Sequence, residues 1–253
     1  MALKAVSNIS LPDKVFEQLT TEIVSGRYSP GTTLPSERTL SRVFAVNRHV
    51  VREAIKRLEQ VGLVKGTQGD RTKVLDFRQT AGLDLLAVLA EHADAVEPLL
   101  PLLLATVEMR AGIGADCARL CAQRADQHVR NDLYLIAAQL NLTRRGTKIF
   151  AIDQRFWQRV LDGAGNLAYQ LAFNSLIRAV HAIPDISLPW LEQELARGDF
   201  RRPIARAIAD GDPDAAAEAT RIALTPPADD LARLARAAAD FEDLNAANDA
   251  STA

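Results

Sequence analysis

The sequence predicts a mainly α protein in two parts, an N-terminal winged helix-turn-helix with a small β-ribbon wing and a C-terminal all-α bundle. Three observations lead there. Two helical patterns follow one another with only Ala45-Val46-Asn47 between them; short β-rich runs bracket a glycine-containing turn from Leu63 to Leu75; and nothing from Gln79 onward alternates as a strand would.

Each element follows from its own signals. Ser10 can cap a helix, with Asp13 three residues on, and Val15, Leu19 and Ile23 recur every four residues until Gly26 stops the run. Ser29-Pro30-Gly31 reads as a turn. A short second helix starts at Pro35-Ser36-Glu37, where Ser36 caps and Glu37 meets the positive end of the helix dipole, and runs through Leu40 to about Phe44. Asn47 caps a third helix from Arg48 to about Val61, with Val51, Ala54, Ile55 and Leu58 on one face and Gly62 as its stop. Leu63-Val64-Lys65 and Thr72-Lys73-Val74-Leu75 are the strands of the wing. Further helices are expected at about 80–92, 95–124, 127–141, 144–163, 166–182, 188–198, 200–211, 213–224 and 227–244. The expected domains are 1–78 and 79–253, with 79–94 as a linker helix and the polar 245–253 frayed.

Composition separates the two parts. The 253 residues, 48% hydrophobic and 25% charged, exclude disordered, collagen-like and membrane classes. Residues 1–78 hold 13 Lys/Arg against 8 Asp/Glu and residues 79–253 hold 17 against 24, so the overall -2 is a +5 front joined to a -7 back. A basic front is a reason to suspect a nucleic-acid-binding module. Cys117 and Cys121, four apart on one helical stretch, are too few and too close for a disulfide framework and read as small buried hydrophobes. With no signal-peptide pattern and no apolar run near the roughly 18 residues of a membrane span, a cytoplasmic protein without a membrane partner is expected. No phosphate loop, paired carboxylates or Ser/His/Asp motif points to catalysis, so the chain is expected not to be an enzyme. The rival reading is an enzyme that uses the winged helix only to dock.

Arg48, His49 and Arg52 occupy the first turns of the third helix, opposite its apolar face, where base edges in a major groove come within reach. Arg38 and Arg42 on the preceding helix can clamp the phosphate backbone, and the turn over 66–73 carries Thr67, Gln68, Arg71 and Lys73 at a wing tip that can enter the adjacent minor groove. Pattern and charge alone also fit a winged helix that docks proteins. Residues 30–63 read PGTTLPSERTLSRVFAVNRHVVREAIKRLEQVGL and closely resemble the signature of the GntR superfamily of transcriptional regulators: PG, LPSER, a V-x-R-x-x-V-R-E-A-x-x-x-L run, then GL before the wing. Residues 72–77 and 81–86 resemble the linker of its FadR subfamily. The resemblance implies a sequence-specific DNA-binding regulator, more often a repressor, that binds a palindromic operator in double-stranded DNA as a homodimer and is released by a small-molecule effector. It carries DNA contacts onto Arg38, Arg48, Arg52, Gln68 and Gly69. His49 and Val50 stand where the subfamily's fatty-acid regulators have small hydroxyl residues, and Gln68 stands where they have histidine.

Many members of this subfamily resemble one another in a bundle that holds a divalent metal through one Asp and three His, with a carboxylate effector beside it. This chain keeps the aspartate as Asp153, but Trp157 and Arg201 stand where the first two histidines belong, and the third falls near Ala223. His49, His92, His128 and His181 have no metal spacing. No metal and no cofactor are therefore expected. The resemblance then implies a larger, partly apolar effector, an acyl-CoA or another lipid-related carboxylate, with a metal-dependent carboxylate sensor as the alternative. Arg110, Asp153, Trp157, Tyr169, Asn174 and Arg178, on the inward-reading faces of three helices, are the candidate effector-binding residues. Each also has a structural reading: Arg110 and Asp153 in ion pairs, Trp157 in the core, Tyr169 as a plug.

Overall fold

The structure is a computed structural model that describes residues 10–67, 71–91, 99–143 and 147–252. The chain divides into two compact units, Met1–Glu97 and Pro98–Ala253.

In the first unit, α1 (Leu11–Val24) starts with a capping box: Ser10 Oγ accepts from the Asp13 amide, and the Asp13 carboxylate accepts from the Ser10 amide at 3.2 Å. Val15, Phe16, Leu19 and Ile23 are buried along one face. α2 (Glu37–Val43) is capped by Ser36, and α3 (Arg48–Gln60) by Asn47, whose side chain accepts from the Val50 amide at 3.0 Å. Between α2 and α3, Ala45 takes a left-handed φ of 52°, a backbone that a side chain strains. α3 buries Val51, Ala54 and Leu58 completely and packs on both preceding helices. It stops at Gly62, with φ 76°, where a Cβ would lie 2.9 Å from the backbone of Thr80 and Ala81.

The wing is an antiparallel pair, β1 (Val64–Thr67) and β2 (Arg71–Val74), with Val64 opposite Val74. Residues after the Ser29-Pro30-Gly31 turn also lie against β2. Gly31 N–H donates to the Val74 carbonyl, Val74 N–H to Thr32 and Leu34 N–H to Thr72, each at 2.8 Å. The wing's root is thus tied to the segment entering α2. The stretch expected as a helix over 80–92 is helical only from Leu85, as α5 (Leu85–Glu91), and a separate single turn, α4 (Phe77–Thr80), precedes it. Asp76 caps α4 and the chain leaves helical geometry at Ala81, next to the helix-breaking Gly82.

The second unit contains α6 (Leu99–Arg124), α7 (Gln127–Leu142), α8 (Thr147–Ala164), α9 (Leu167–Ala182), α10 (Pro184–Ala196), α11 (Arg201–Asp210), α12 (Pro213–Leu224) and α13 (Ala228–Thr252). α6 packs against α12 and α8, while α11 lies against α12 and α7. Their shared core includes Cys117, Ala118, Leu133, Phe156, Val160, Ile204, Ile208 and Leu224. Small residues set the spacing: a Cβ on Gly163 would fall 2.5 Å from Cys121 Sγ. Burial pushes both cysteine thiols up to about 12, so they are packing groups held as neutral thiols. Arg130 donates to the carbonyls of Ala122, Ala125, Ile208 and Ala209 at 2.8–3.0 Å, satisfying the C-terminal ends of α6 and α11. Two helix bounds differ from expectation. α10 starts a turn early because Pro184 suits a first helical turn, and α13 stays helical to Thr252 through an alanine-rich stretch where fraying was expected.

Candidate functional site

On α2 and α3, inward packing of Leu40, Val50, Val51, Ile55 and Leu58 turns the intervening positions outward. Arg38, Arg42, Arg48, His49 and Arg52 are all exposed. Arg38, Arg42 and Arg48 have no ion-pair partner among the described residues, which leaves their guanidinium groups for phosphates and base edges. Arg52 is held differently. Its Nη2 and Nε donate to the Glu37 carboxylate at 3.1 and 3.4 Å, so a residue at the start of α2 orients a residue on α3. Arg57, further along the same helix, is a packing residue: it pairs with Asp13 and lies 4.3 Å from the Phe16 ring centroid, fastening α3 to α1. On the wing, Lys73 of β2 is exposed, while Gln68 and Gly69 lie outside the described residues.

The helical unit presents a second set of arginines under opposite conditions. Arg201, the first residue of α11, is buried with its side chain 4% exposed. Its Nε donates to Asp153 Oδ1 on α8 at 2.6 Å, and its Nη2 donates to Glu194 Oε1 on α10 at 3.0 Å. Arg110 on α6 grips the same glutamate with two bonds, Nη1 to Oε2 at 2.5 Å and Nη2 to Oε1 at 2.9 Å. Arg201 Cζ stands 5.1 Å from the Trp157 ring centroid and Arg110 Cζ stands 5.6 Å from that of Trp190. Burial pushes the Glu194 carboxyl up, but the Arg110 and Arg201 guanidiniums outweigh it and bring the group down to about 2. For Arg201, burial works against the charge, and the carboxylates of Asp153 and Glu194 more than reverse it.

Of the expected effector-binding residues, the structure joins Arg110 and Asp153 in this network and places Trp157 beneath it. The remaining three lie elsewhere in the fold. Tyr169 donates to Asp116 on α6 at 2.9 Å, and Asp116 in turn accepts from Arg119 at 2.7 Å. Asn174 is exposed and accepts from Gln170 at 3.2 Å, while Arg178 is exposed and donates to Ser175 Oγ at 3.1 Å. Glu194 and Trp190 are members that the sequence reading left out. Glu194 carried a signal all the same: it stands four residues after Trp190 and eight after the buried Ile186, in the apolar phase of its helix.

The residues around Asp153 do not fit a divalent metal. Trp157 and Ala223 supply no ligand atom, and Arg201 brings a positive charge to the carboxylate that a metal would need. Among the described residues, no group of three or more His, Cys, Asp or Glu is placed to hold a metal ion. No helix among them is long and apolar enough to cross a membrane.

Comparison with known proteins agrees with this division. Residues 11–74 match the model for bacterial regulatory proteins of the gntR family, and residues 105–225 match that for the FCD domain. The HTH-type transcriptional regulator Mce2R of Mycobacterium tuberculosis is 34% identical over 221 residues, 87% of this chain and 91% of that protein. The fatty acid metabolism regulator protein of Pectobacterium carotovorum is 31% identical over 179 residues, 70% of each. Among solved structures, E. coli McbR/YncC aligns at a TM-score of 0.45 with 14% identity, covering 90% of this chain and 99% of that one. A winged helix-turn-helix with outward arginines, followed by a helical FCD domain, makes this chain a member of the gntR family of bacterial regulatory proteins.

Proposed function

We propose that the protein represses transcription by binding a palindromic operator as a homodimer, and that a small anionic effector taken up by the helical unit releases it. The observation that carries the DNA-binding half is the trio Arg38, Arg42 and Arg48, exposed and without a carboxylate partner among the described residues, on two capped helices. In this reading Arg48, His49 and Arg52 face the major groove. Arg38 and Arg42 hold phosphates, and Lys73, Gln68 and Gly69 place the wing in the minor groove. Two copies related by a two-fold axis read two half-sites, which is why the operator is a palindrome. Exposed Tyr134, Leu135 and Leu142 on α7 and Leu167 and Leu171 on α9 supply apolar surface that a second copy can cover.

Arg110 and the buried Arg201 support an anion as effector, and the fatty acid metabolism regulators among the relatives favour an acyl-CoA or a related carboxylate. By linkage, an effector that binds the DNA-free form more tightly lowers operator affinity by the same factor. The reading is of a regulator without catalytic activity. Its test is operator selection from random duplexes, followed by fluorescence anisotropy with and without octanoyl-CoA. Enrichment of one palindrome, bound at two subunits per duplex and released by octanoyl-CoA, supports the proposal. Absence of enrichment contradicts the DNA-binding half, and an enriched palindrome unaffected by octanoyl-CoA and octanoate contradicts the effector half.

A further inference from the structure

We infer that Arg110 and Arg201 form an anion-binding subsite which Glu194 fills from within the chain, and that the oxyanion of an effector exchanges with it. The inference deepens the proposed regulatory function and rests on its effector half. A carboxylate buried against two guanidiniums is an unusual way to hold a helix down, because a well-packed apolar residue usually serves stability as well or better. Glu194 is nevertheless the most deeply buried residue of α10, with its side chain 1% exposed. The rest of α10 lies mostly outside the shared core, with Ile186 and Ser187 buried in its first turn. Its N-terminus has no side-chain cap, Pro189 interrupts its hydrogen bonding, and it packs chiefly on α9 and α13 rather than within the shared core, although Leu195 touches that core.

The charges allow an exchange. Two guanidiniums face two carboxylates in the network, so an incoming anion that replaces Glu194 preserves neutrality, and Arg201 keeps Asp153 throughout. Arg110, 19% exposed, is the member that reaches solvent and gives an anion its first contact. Trp190 stacks beside Arg110 and rides on the same helix as Glu194, so withdrawal of α10 uncovers both guanidiniums together. A separate observation points to a ligand: Trp157, whose ring lies against Arg201, is buried and its Nε1 donor has no partner among the described residues. The chemistry recognised is an oxyanion accepting from two guanidiniums, either the carboxylate of a fatty acid or a phosphate group.

The test compares full-length wild type with Glu194→Gln, which keeps the shape of the occupant and removes its charge. Thermal unfolding is followed in sodium octanoate, octanoyl-CoA or inorganic phosphate, with ionic strength matched by sodium chloride. The expected result is that one of these probes binds the variant at least tenfold more tightly than the wild type. A hundredfold excess of that probe over its Kd should raise the variant's Tm by about 5 °C or more. Arg110→Gln placed on the variant should abolish the gain. Equal responses of variant and wild type, or no response in either, overturn the inference. If Glu194→Gln does not fold, Glu194→Asp, which withdraws the carboxylate by one methylene, is read the same way: tighter anion binding supports the exchange and unchanged binding overturns it. Operator anisotropy on the same samples separates the two readings. Wild type that binds and releases its operator while Glu194 proves irrelevant to anion binding sinks only this inference, whereas wild type that selects no operator sinks the regulator reading.

Discussion

In the winged helix-turn-helix, Arg38, Arg42 and Arg48 stand in solvent without a carboxylate partner among the described residues, whereas in the helical unit Arg201 is buried between two carboxylates. The side chain is the same and its surroundings reverse its role. An exposed, unpaired guanidinium keeps its donors for an external polyanion, so its loss should register in binding and scarcely in folding. A buried, paired one is committed to its partners, so its loss strands their charge inside the protein. The overall charge of -2 conceals this division, since a basic first part and an acidic second part cancel.

The contrast is most exposed to failure at Arg201. Arg201→Ala leaves Asp153 and Glu194 buried without their shared cation and should cost about 3–5 kcal/mol of stability, seen in urea unfolding followed by tryptophan fluorescence. A loss under about 1 kcal/mol would show that water or another cation readily replaces the guanidinium.

Acid should act on the same network with a defined sign. Glu194 is held at about 2, below its ordinary value of 4.5, so its contribution is present above the ordinary value and is lost as pH falls towards 2. That contribution is on the order of 3 kcal/mol from the size of the shift. Unfolding curves of wild type and Glu194→Gln, well apart at pH 5 and above, should converge on acidification towards pH 2. A constant gap over that range would mean that the ionised carboxylate is not what the network stabilises.

A pair of substitutions on α3 turns the contrast into an internal control. Arg48→Ala should weaken operator binding by about 1–3 kcal/mol and leave stability within about 0.5 kcal/mol. Arg57→Ala should lower stability by up to about 1 kcal/mol, by releasing Asp13 and the face of Phe16. Anisotropy and chemical denaturation of both variants would expose a swapped pattern at once. The smallest change is expected at the turn between α2 and α3. Ala45→Gly relieves the φ of 52° but loosens the unfolded chain, for a net gain below about 1 kcal/mol in Tm-derived stability. A loss would mean that the alanine methyl contributes packing beyond its strain.

Legibility in the sequence followed the range of the interactions. Ser10, Ser36 and Asn47 were readable as caps because a cap is satisfied within three residues, and Gly62 as a stop because its left-handed φ is a local demand. The spacing of Val51, Ala54, Ile55 and Leu58 fixed which way α3 faces, and with it the outward set of Arg48, His49 and Arg52. Pairing of residues 31–34 with β2 joins segments some forty positions apart, and nothing in a turn such as Ser29-Pro30-Gly31 announces it. The charge network is more distant still: Arg110 and Glu194 are 84 residues apart. Tyr169 read as inward along with Arg110, but a helical phase gives a direction around an axis and not a depth along the bundle, so the structure finds Tyr169 with Asp116.

The central claim, that the exposed Arg38, Arg42 and Arg48 of α2 and α3 read DNA, is tested most directly by a salt titration of operator binding with wild type and the triple variant Arg38→Ala, Arg42→Ala, Arg48→Ala. The account predicts that log Kd against log salt is linear for the wild type, with a slope that falls by about 1 for each phosphate contact removed. It also predicts that the folded triple variant loses selectivity for the palindrome over random duplex. A folded triple variant that binds the operator with the wild-type affinity, slope and selectivity would contradict it.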